Sequence, residues 1–381
     1  MLLFLKSGYN RKFPDKLETL SKNTPRVLVC PLDWGLGHAT RCVPIIKALL
    51  DQGAEVIIAS EKRPLHFLKQ EFPGLQFIPF EGYNIKYPSK TGMILKMAFS
   101  TPKILWSIYK EHQFLKKIIV DHNISAVISD NRFGLWSTSI PSIFITHQIR
   151  IKSPVFENLL FKINSFFINR YDECWIPDFS GSENLSGGLS HYGLLPGNAV
   201  FIGPLSRFTR NKTSVSQKTY DLTVIISGPE PQRSKFENIV LNQLKGKALK
   251  AAVVRGVTES KEYYQLTENI DVYAHLDTAA LSKIILDSEL VLCRPGYSTI
   301  MDLAVLNTKA VFVPTPGQTE QEYLAKHLTE KGMGIYFNQK KFVLESLFLN
   351  RPKFEAIEFK ENNLLDIKIK VFLASLSTKV N

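Results

Sequence analysis

The stretch at 26–50 places a buried strand directly before a glycine-rich turn and a helix. Arg26 to Pro31 is a short apolar run that predicts a strand, and the apolar residues from Val43 to Leu50 recur at helical spacing. The turn between them reads Asp-Trp-Gly-Leu-Gly-His and ends at His38. In such a turn, backbone N–H groups and the positive end of the helix dipole face whatever docks there. The stretch therefore predicts an open α/β sheet with a ligand site at the carboxyl ends of its strands.

The turn does not match the dinucleotide-binding fingerprint G-x-G-x-x-G, because Thr40 occupies the third glycine position. The second predicted strand, Glu55 to Ser60, ends without the acidic residue that would bind a ribose. We therefore expect no nicotinamide or flavin, and no other cofactor. The imidazole of His38 is suited to proton transfer near neutral pH. The turn alone is equally compatible with a structural role for His38, in which a histidine at the start of a helix is hydrogen-bonded to the backbone.

Length and charge narrow the function classes. A chain of 381 residues is too long for one hydrophobic core and long enough for two domains. The 47 Lys and Arg residues exceed the 35 Asp and Glu residues, which leaves a net charge of +12 and favours acidic partners. Because the basic residues are spread along the chain, we expect a phosphate-bearing substrate or an anionic lipid surface and no nucleic acid.

Two further features concern the compartment. The four cysteines lie far apart without a C-x-x-C pair, which is typical of reduced thiols in the cytosol. No apolar run reaches the roughly 18 to 20 residues that a membrane span needs, and the first lysine follows only five residues, unlike a secretory signal. Residues 1–25 are interpreted as an N-terminal extension without an assigned function.

The order of predicted elements indicates two α/β domains. A βαβαβ opening begins an N-terminal domain at 26–203, and the polar, basic segment 204–219 is interpreted as a linker. A second α/β unit fills 220–381. The stretch 93–117 is apolar with interleaved lysines, which predicts two amphipathic helices around Pro102 or, alternatively, an aromatic, basic patch that docks on a membrane surface.

Polar residues end two later strands of the N-terminal domain. Asp130 closes the predicted strand 125–130, and His147 follows the predicted strand 141–146. In a parallel sheet these ends lie at the same edge as His38, so both residues are candidate acceptor-side contacts together with Gly35 and Gly37. Capping of the next element is an equally good interpretation of Asp130 and His147.

In the second half, two strand-to-helix turns are suited to anions. Ser227-Gly228 lets the backbone approach a phosphate closely, and the turn at 294–299 puts glycine, serine and threonine at a helix N-terminus. Either hydroxyl alone could be a simple cap. Asp302 lies three to four positions beyond Ser298 and Thr299, on the same helix face, where a carboxylate could bind a ribose.

The Pro/Gly loop at 314–317 leads into a polar helix start. Gln318, Gln321 and Glu322 offer amide and carboxylate groups that suit sugar hydroxyls. A solvated helix start with acids near its positive end would look the same.

The segment 293–328, which reads CRPGYSTIMDLAVLNTKAVFVPTPGQTEQEYLAKHL, resembles the donor-binding half of GT-B glycosyltransferases. It resembles in particular the branch that contains the N-acetylglucosaminyltransferase of peptidoglycan lipid-intermediate synthesis. GLGHATR resembles the N-terminal Gly-rich loop of that branch, and the run from Ser227 to Arg233 its second one, so the resemblance covers roughly 26–335. It implies two Rossmann-like, doubly wound α/β domains that face a central cleft.

The resemblance also implies residue roles. His38 matches the loop histidine that faces the acceptor, as a general base or a positioning group. Asp302 stands where the family usually has a glutamate on the donor ribose, and Glu322 where it usually has a second glutamine beside Gln321. The complete expected donor-binding set comprises Ser227, Gly228, Arg233, Arg294, Gly296, Ser298, Thr299, Asp302, Gln318, Gln321 and Glu322.

The activity expected from this resemblance is inverting transfer of a hexose or N-acetylhexosamine. The donor would be a nucleotide-diphosphate sugar, UDP-linked, and the acceptor a lipid-linked or cell-envelope molecule. No Asp-x-Asp motif is evident, so we expect no metal. We expect a cytoplasmic protein that is peripheral on the inner face of the cell membrane.

Three alternatives stay open. GLGHATRC also resembles the G-x-G-H-x-x-R turn of the nucleotide-sugar hydrolase of pseudaminic acid synthesis, in which a histidine activates water. A sugar epimerase of the same fold would interconvert nucleotide sugars. A non-catalytic module would bind the nucleotide sugar without releasing nucleotide.

Overall fold

The computed structural model describes residues 24–82, 93–153, 156–209, 218–349, 354–357 and 363–377, without the side chains of 93–101 and 349. The chain divides into two compact units. Unit 1 combines Met1–Leu205 with Asn362–Asn381, and unit 2 is Ser206–Glu361. The boundary falls after Leu205, within the segment interpreted as a linker, of which 210–217 lie outside the described residues.

Unit 1 is built on a parallel sheet. In the part of the chain that the structure describes, its seven strands follow the order β3-β2-β1-β4-β5-β6-β7. They are β1 Arg26–Pro31, β2 Glu55–Ser60, β3 Gln76–Pro79, β4 Ala126–Asp130, β5 Ser142–Ile145, β6 Glu173–Ile176 and β7 Ala199–Phe201. The helices up to this point are α1 Leu36–Asp51, α2 Lys62–Glu71, α3 Met93–Asp121 and α4 Glu157–Ile168.

The central strands are apolar because both faces of the sheet are covered, as in other parallel sheets. Leu28, Ile57 and Val127 on neighbouring strands share one core cluster with Leu115 and Ile118 of α3. This packing holds β1 and β4 side by side, with Val27 to Pro31 in register with Ala126 to Asp130. The two strand ends that matter most for the site are therefore fixed relative to each other.

The stretch around Pro102 differs from the prediction of two helices. α3 runs without a break through Pro102 to Asp121. A proline inside a helix removes one hydrogen bond and its ring crowds the carbonyl four residues earlier, yet α3 continues past Pro102. Beyond the proline, Ile104 and Ile108 pack in one cluster with Phe167 of α4, which makes α3 and α4 neighbours.

Unit 2 has a second sheet of the same kind, ordered β10-β11-β9-β8-β12-β13-β14 among the described residues. Its strands are β8 Tyr220–Ile225, β9 Ala251–Val254, β10 Tyr263–Thr267, β11 Ile270–Tyr273, β12 Ser288–Cys293, β13 Ala310–Phe312 and β14 Ile335–Tyr336. Its helices are α5 Gln232–Leu244, α6 Thr278–Leu286, α7 Tyr297–Leu306, α8 Thr319–Glu330 and α9 Ser346–Leu349. Among the strands that the structure describes in this sheet, β10 is the one that runs antiparallel to its neighbour, which is β11. The predicted α/β class with two Rossmann-like domains is confirmed.

The last described helix, α10 Leu364–Ser377, belongs to unit 1. The ring of Phe372 meets Trp175 of β6 edge-on, with 5.6 Å between the ring centroids, and Lys368 pairs with Glu173 at 2.6 Å. This helix lies outside the domain to which the sequence assigned it, because its apolar face is buried against unit 1 although it follows unit 2 in the chain.

Cys30, Cys42, Cys174 and Cys293 are all buried free thiols. Among the described residues, no helix combines the length and the apolar character needed to cross a membrane.

Candidate active site

The site in unit 1 lies where the strand order reverses. β1 leads through the glycine turn and α1 to β2 on one side, and β4 pairs with β1 on the other side. The two strand ends are joined directly, since the amide of Leu32 donates to the carbonyl of Asp130 at 3.1 Å. Ligands of open α/β sheets bind at this kind of crevice.

The glycine turn sets the direction of α1. Gly35 precedes the helix with φ +133°, a conformation that side-chain-bearing residues rarely adopt. Gly37 lies in the first turn, where its carbonyl accepts a hydrogen bond from the hydroxyl of Thr40 at 3.1 Å. His38 follows as the third residue of the helix, and its side chain is 18% exposed.

Asp130 is the anionic centre of the unit 1 site. Its carboxylate is fully buried and receives Arg41 Nε at 2.7 Å and Arg41 Nη2 on its other oxygen. His38 Nδ1 lies 3.3 Å from the same carboxylate. Burial alone would raise the pKa of Asp130, but the charge and the hydrogen bonds of Arg41 outweigh the effect of burial and lower the pKa to about 2. Asp130 is therefore an anion at neutral pH.

His147, which follows β5, completes the cluster through Arg41 and not through Asp130. Arg41 Nη1 lies 2.9 Å from His147 Nδ1, and Arg41 Nη2 lies 2.9 Å from His38 Nδ1. The structure thus brings together His38, Asp130 and His147, the three acceptor-side candidates with titratable side chains. The reasoning from strand ends missed Arg41, whose signal in the sequence is its spacing of three residues from His38 on one helix face.

In unit 2 the loops after β8, β12 and β13 lie at the same sheet edge, because these strands are parallel neighbours. Gly228 has φ +107°, and a Cβ built there would lie 3.7 Å from the hydroxyl of Thr315. The Ser227-Gly228 loop is therefore adjacent to the loop at 314–317. Between β8 and β12 the strand order of unit 2 reverses, as it does in unit 1.

α7 begins at the end of β12 with Gly296 as its N-cap residue and without a side-chain cap hydrogen bond. Ser298 and Thr299 occupy its first turn. A Cβ at Gly296 would lie 3.8 Å from the hydroxyl of Thr299. The arrangement of a small residue, two hydroxyls and the positive end of a ten-residue helix suits an anionic group.

Asp302 lies one turn further along α7 and is held by side chains of its own unit. Its Oδ1 accepts from Ser206 at 2.6 Å, and Arg207 Nε lies 3.6 Å from its Oδ2. Burial raises the pKa of this carboxyl group, while Arg207 and Ser206 act in the opposite direction. Ser206 and Arg207 lie in the segment interpreted as a linker, where no sequence pattern marks them as site residues.

Arg294 and Arg233 have placements that differ from the ligand contacts expected for them. Arg294 is fully buried over the ring of Phe236 and donates to the carbonyl of Val313 at 2.7 Å and to Gln339 at 2.7 Å. Arg233 pairs with Glu230 and Glu237, each at 2.6 Å. Both guanidinium groups therefore stabilise unit 2 from inside. The pattern of a cation after a strand does not distinguish this role from ligand binding.

The polar start of α8 fixes the loop at 314–317. Gln321 Oε1 accepts from the amide of Thr315 at 2.8 Å, and Glu322 Oε1 accepts from the amide of Gly317 at 3.0 Å. Gln318 is the N-cap residue of α8. Within the described parts of the chain, no group of three or more His, Cys, Asp or Glu side chains is arranged to hold a metal ion.

Comparison with known proteins defines the class. Residues 216–356 match the model of the glycosyltransferase family 28 C-terminal domain. The fold resembles that of the glycotransferase of kitacinnamycin, with a TM-score of 0.59, 14% identity and coverage of 94% of this chain and 95% of that one. The glycosyltransferase SnogD from Streptomyces nogalater also has a TM-score of 0.59, at 12% identity, with 94% and 99% of the chains covered. The protein is a glycosyltransferase of the GT-B fold.

Two curated relatives make the likeness more particular. The UDP-N-acetylglucosamine--N-acetylmuramyl-(pentapeptide) pyrophosphoryl-undecaprenol N-acetylglucosamine transferase of Actinobacillus pleuropneumoniae serotype 5b (strain L20) is 26% identical over 85% of this chain and 90% of its own length. The protein of the same name from Lactococcus lactis subsp. cremoris (strain MG1363) is 21% identical over 74% of this chain and 83% of its own. The resemblance expected from the sequence is confirmed.

Proposed function

We propose that the protein transfers a hexose or N-acetylhexosamine from a UDP-linked sugar to a lipid-linked or cell-envelope acceptor. Transfer proceeds with inversion and without a metal ion. The observation that carries the proposal is the match of residues 216–356 to a glycosyltransferase domain, because this range contains the three loops after β8, β12 and β13. The names of the two curated relatives support a UDP-sugar donor and a lipid-linked acceptor.

Unit 2 holds the donor in this proposal. The diphosphate lies against Ser227-Gly228 and the start of α7 at 296–299, where backbone N–H groups stabilise the charge that develops as the diphosphate leaves. Asp302 binds the ribose, and Gln318, Gln321 and Glu322 contact the sugar. Arg233 and Arg294 keep the loops in place from behind.

Unit 1 presents His38 to the acceptor, either as general base for its hydroxyl or as the group that positions it. A nucleotide-sugar hydrolase is the second candidate. It is favoured by one observation, the contact between His38 and Arg41, the two residues that resemble the H-x-x-R part of that enzyme's turn.

A single assay separates the candidates. The protein is incubated with a panel of nucleotide sugars, with and without membrane extract, while UDP and free sugar are measured. A transferase releases UDP only with the extract, and the sugar appears in the lipid fraction. Free sugar without extract would indicate hydrolysis, a changed nucleotide sugar would indicate an epimerase, and donor binding without any product would indicate a binding module.

The acceptor is reached, in this proposal, by docking on an anionic membrane on the cytoplasmic side. In the described part of 93–117, Leu105, Trp106 and Tyr109 are all more than half exposed, and Lys110 lies over the ring of Trp106. The neighbouring helix α4 adds the exposed ring of Phe166. Exposed aromatic rings beside lysines suit an interface with anionic lipid.

Co-sedimentation with vesicles tests this docking. We expect binding to vesicles that contain phosphatidylglycerol and little binding to phosphatidylcholine alone. Trp106→Glu should reduce binding strongly, whereas Tyr336→Glu, at an exposed position of unit 2, should not. Equal binding of wild type and Trp106→Glu would remove α3 from the docking surface.

A further inference from the structure

Three ionisable side chains converge on one guanidinium group in unit 1. Arg41 is 2% exposed, and each edge of its guanidinium faces a different partner. Nε and Nη2 hold the two oxygens of Asp130, Nη2 also reaches His38 Nδ1 at 2.9 Å, and Nη1 reaches His147 Nδ1 at 2.9 Å. The two imidazoles are thus connected through Arg41.

The chemistry of arginine decides which ring nitrogen carries the proton. A guanidinium has N–H donors and no acceptor, and it stays protonated in proteins. Each imidazole nitrogen at 2.9 Å from it must therefore accept with its lone pair. For a neutral imidazole whose Nδ1 accepts, the proton lies on Nε2.

Asp130 favours the other tautomer of His38, in which Nδ1 carries the proton, but the contact with Asp130 is longer than the contact with Arg41. A hydrogen bond from His38 Nδ1 to Asp130 would need a proton on Nδ1, and the two atoms are 3.3 Å apart. That proton would put two donors, His38 Nδ1 and Arg41 Nη2, 2.9 Å from each other. The shorter contact with Arg41 therefore prevails, and Asp130 serves mainly to hold Arg41.

We propose that Arg41 is a positioning residue that fixes His38 and His147 in the Nε2–H tautomer, so that His38 offers an N–H donor to its ligand. The nature of the ligand, an electronegative oxygen of the acceptor, rests on the function proposed above, whereas the tautomer does not. Of the two roles left open for His38, this geometry selects the positioning group over the general base, because a base needs the lone pair on Nε2.

The buried pair makes the arrangement rigid. A two-point contact between guanidinium and carboxylate is directional as well as strong. The carboxylate is fully buried, and His38 and Arg41 lie three residues apart on α1, so helix geometry keeps their side chains on one face. The ring of His38 thus meets Arg41 Nη2 in a set position.

Nitrogen NMR of the histidine side chains tests the proposal in the full-length protein. At about pH 8, well above the ordinary histidine pKa of about 6.5, two-bond ¹H–¹⁵N correlations distinguish a bare ring nitrogen from a protonated one. His38→Gln and His147→Gln assign the signals. We expect bare Nδ1 and protonated Nε2 in both rings. A protonated Nδ1 on His38 would overturn the proposal.

Arg41→Lys tests the cause. One ammonium group can neutralise Asp130 but cannot also reach both imidazoles, so the Nδ1 signal of His38 should move toward that of a protonated nitrogen as Asp130 becomes its partner. Arg26→Lys, at the opposite end of β1, should leave both rings unchanged. An unchanged His38 in folded Arg41→Lys would refute the role of Arg41. If Arg41→Lys does not fold, the tautomer of His38 in the wild-type protein still tests the proposal. Because these spectra need no sugar donor, their outcome is independent of whether transfer is found.

Discussion

At the residue scale, the carboxylate of Asp130 at the end of β4 lies at the centre of side chains from two other elements, and through Arg41 it determines what His38 can do. His38 and Arg41 come from α1 and His147 from the segment after β5, yet each lies within one hydrogen bond of Asp130 or of its partner Arg41. The cluster combines one buried anion with one buried cation. It can therefore hold two imidazoles near a surface without leaving a buried charge unpaired.

His38→Ala should reduce turnover by roughly 10²-fold, because the imidazole positions the acceptor in the proposed reaction. Donor affinity should stay nearly unchanged, since the donor binds to unit 2. Steady-state kinetics and calorimetry with UDP measure the two effects. His66→Ala, at an exposed position of α2, is the matched control. Unchanged turnover in His38→Ala would remove this residue from the mechanism.

Asp130→Asn should make unit 1 less stable and less sensitive to acid. The pKa of Asp130 is lowered from 3.8 to about 2, so its carboxylate stabilises the fold fully above pH 3.8 and loses that contribution as the pH falls to 2. The contribution is roughly 2 to 3 kcal/mol. At neutral pH the variant leaves Arg41 buried without its counter-ion, which costs about 3–5 kcal/mol.

Tryptophan fluorescence measures this effect in unit 1 alone, because Trp34, Trp106, Trp136 and Trp175 all belong to that unit. Urea unfolding at pH values from 7 to 2.5 gives the free energy of unfolding of each protein. The values for wild type and Asp130→Asn should approach each other as the pH falls. The exposed Asp51 provides the control Asp51→Asn, which should follow the wild type. A difference in the free energy of unfolding that stays constant over this pH range would contradict the lowered pKa of Asp130.

Asp302→Ala should weaken UDP binding by about tenfold or more, the loss of one hydrogen bond to a charged group. The carboxylate already accepts from Ser206, so the ribose must share it or replace that partner. Calorimetry gives the affinity, with the exposed Glu289→Ala as control. Unaltered affinity in the folded variant would refute the ribose role.

At the residue scale, the sequence identifies polar residues that end strands. It does not indicate whether their side chains point toward a ligand or into the protein. Asp130 and His147 follow apolar strands, so their common sheet edge is predictable. Arg294 also follows a strand, yet its guanidinium turns inward over Phe236. No residue type or spacing indicates this, because the cavity that receives Arg294 is built by carbonyls and side chains far along the chain.

At the scale of elements, hydrophobic periodicity and turn-forming residues predict most helices and strands. The remaining elements depend on long-range packing. The apolar runs of β1 and β4 and the glycine turn before α1 are local signals. The strand pattern does not predict β10, because Tyr263–Thr267 is a polar edge strand without a buried apolar run. α10 lies within the range 220–381 that the sequence assigns to the second unit, yet it packs on unit 1, since amphipathic spacing does not say against which sheet an apolar face packs.

Phe372→Ala should destabilise unit 1 by about 3–5 kcal/mol, the usual cost of removing a buried phenylalanine ring. The ring is 6% exposed and meets Trp175 edge-on. Urea unfolding followed by tryptophan fluorescence measures the loss, and Val371→Ala, at a 42% exposed position, should stay within about 0.5 kcal/mol of wild type. Equal stability of both variants would show that α10 contributes nothing to unit 1.

At the scale of the whole molecule, unit 2 is one continuous piece of chain, and unit 1 is two. A fragment of residues 206–361 should therefore fold alone, because it keeps its entire sheet and core cluster. Circular dichroism should show a cooperative thermal transition. The fragment 24–205, which lacks α10, should expose the apolar surface that α10 covers and bind a hydrophobic dye more strongly than the full chain. A fragment 206–361 without a cooperative transition would contradict this division.

The return of α10 to unit 1 has a consequence for biosynthesis. A ribosome completes residues 26–205 first and then makes all of unit 2 before it reaches the helix that closes the first sheet. At translation rates of about 5–20 residues per second, the nascent first unit waits roughly 8 to 30 s for its last part. Until then, the flank of β6 around Trp175 is an apolar surface without its cover, and it is open to chaperones or to aggregation.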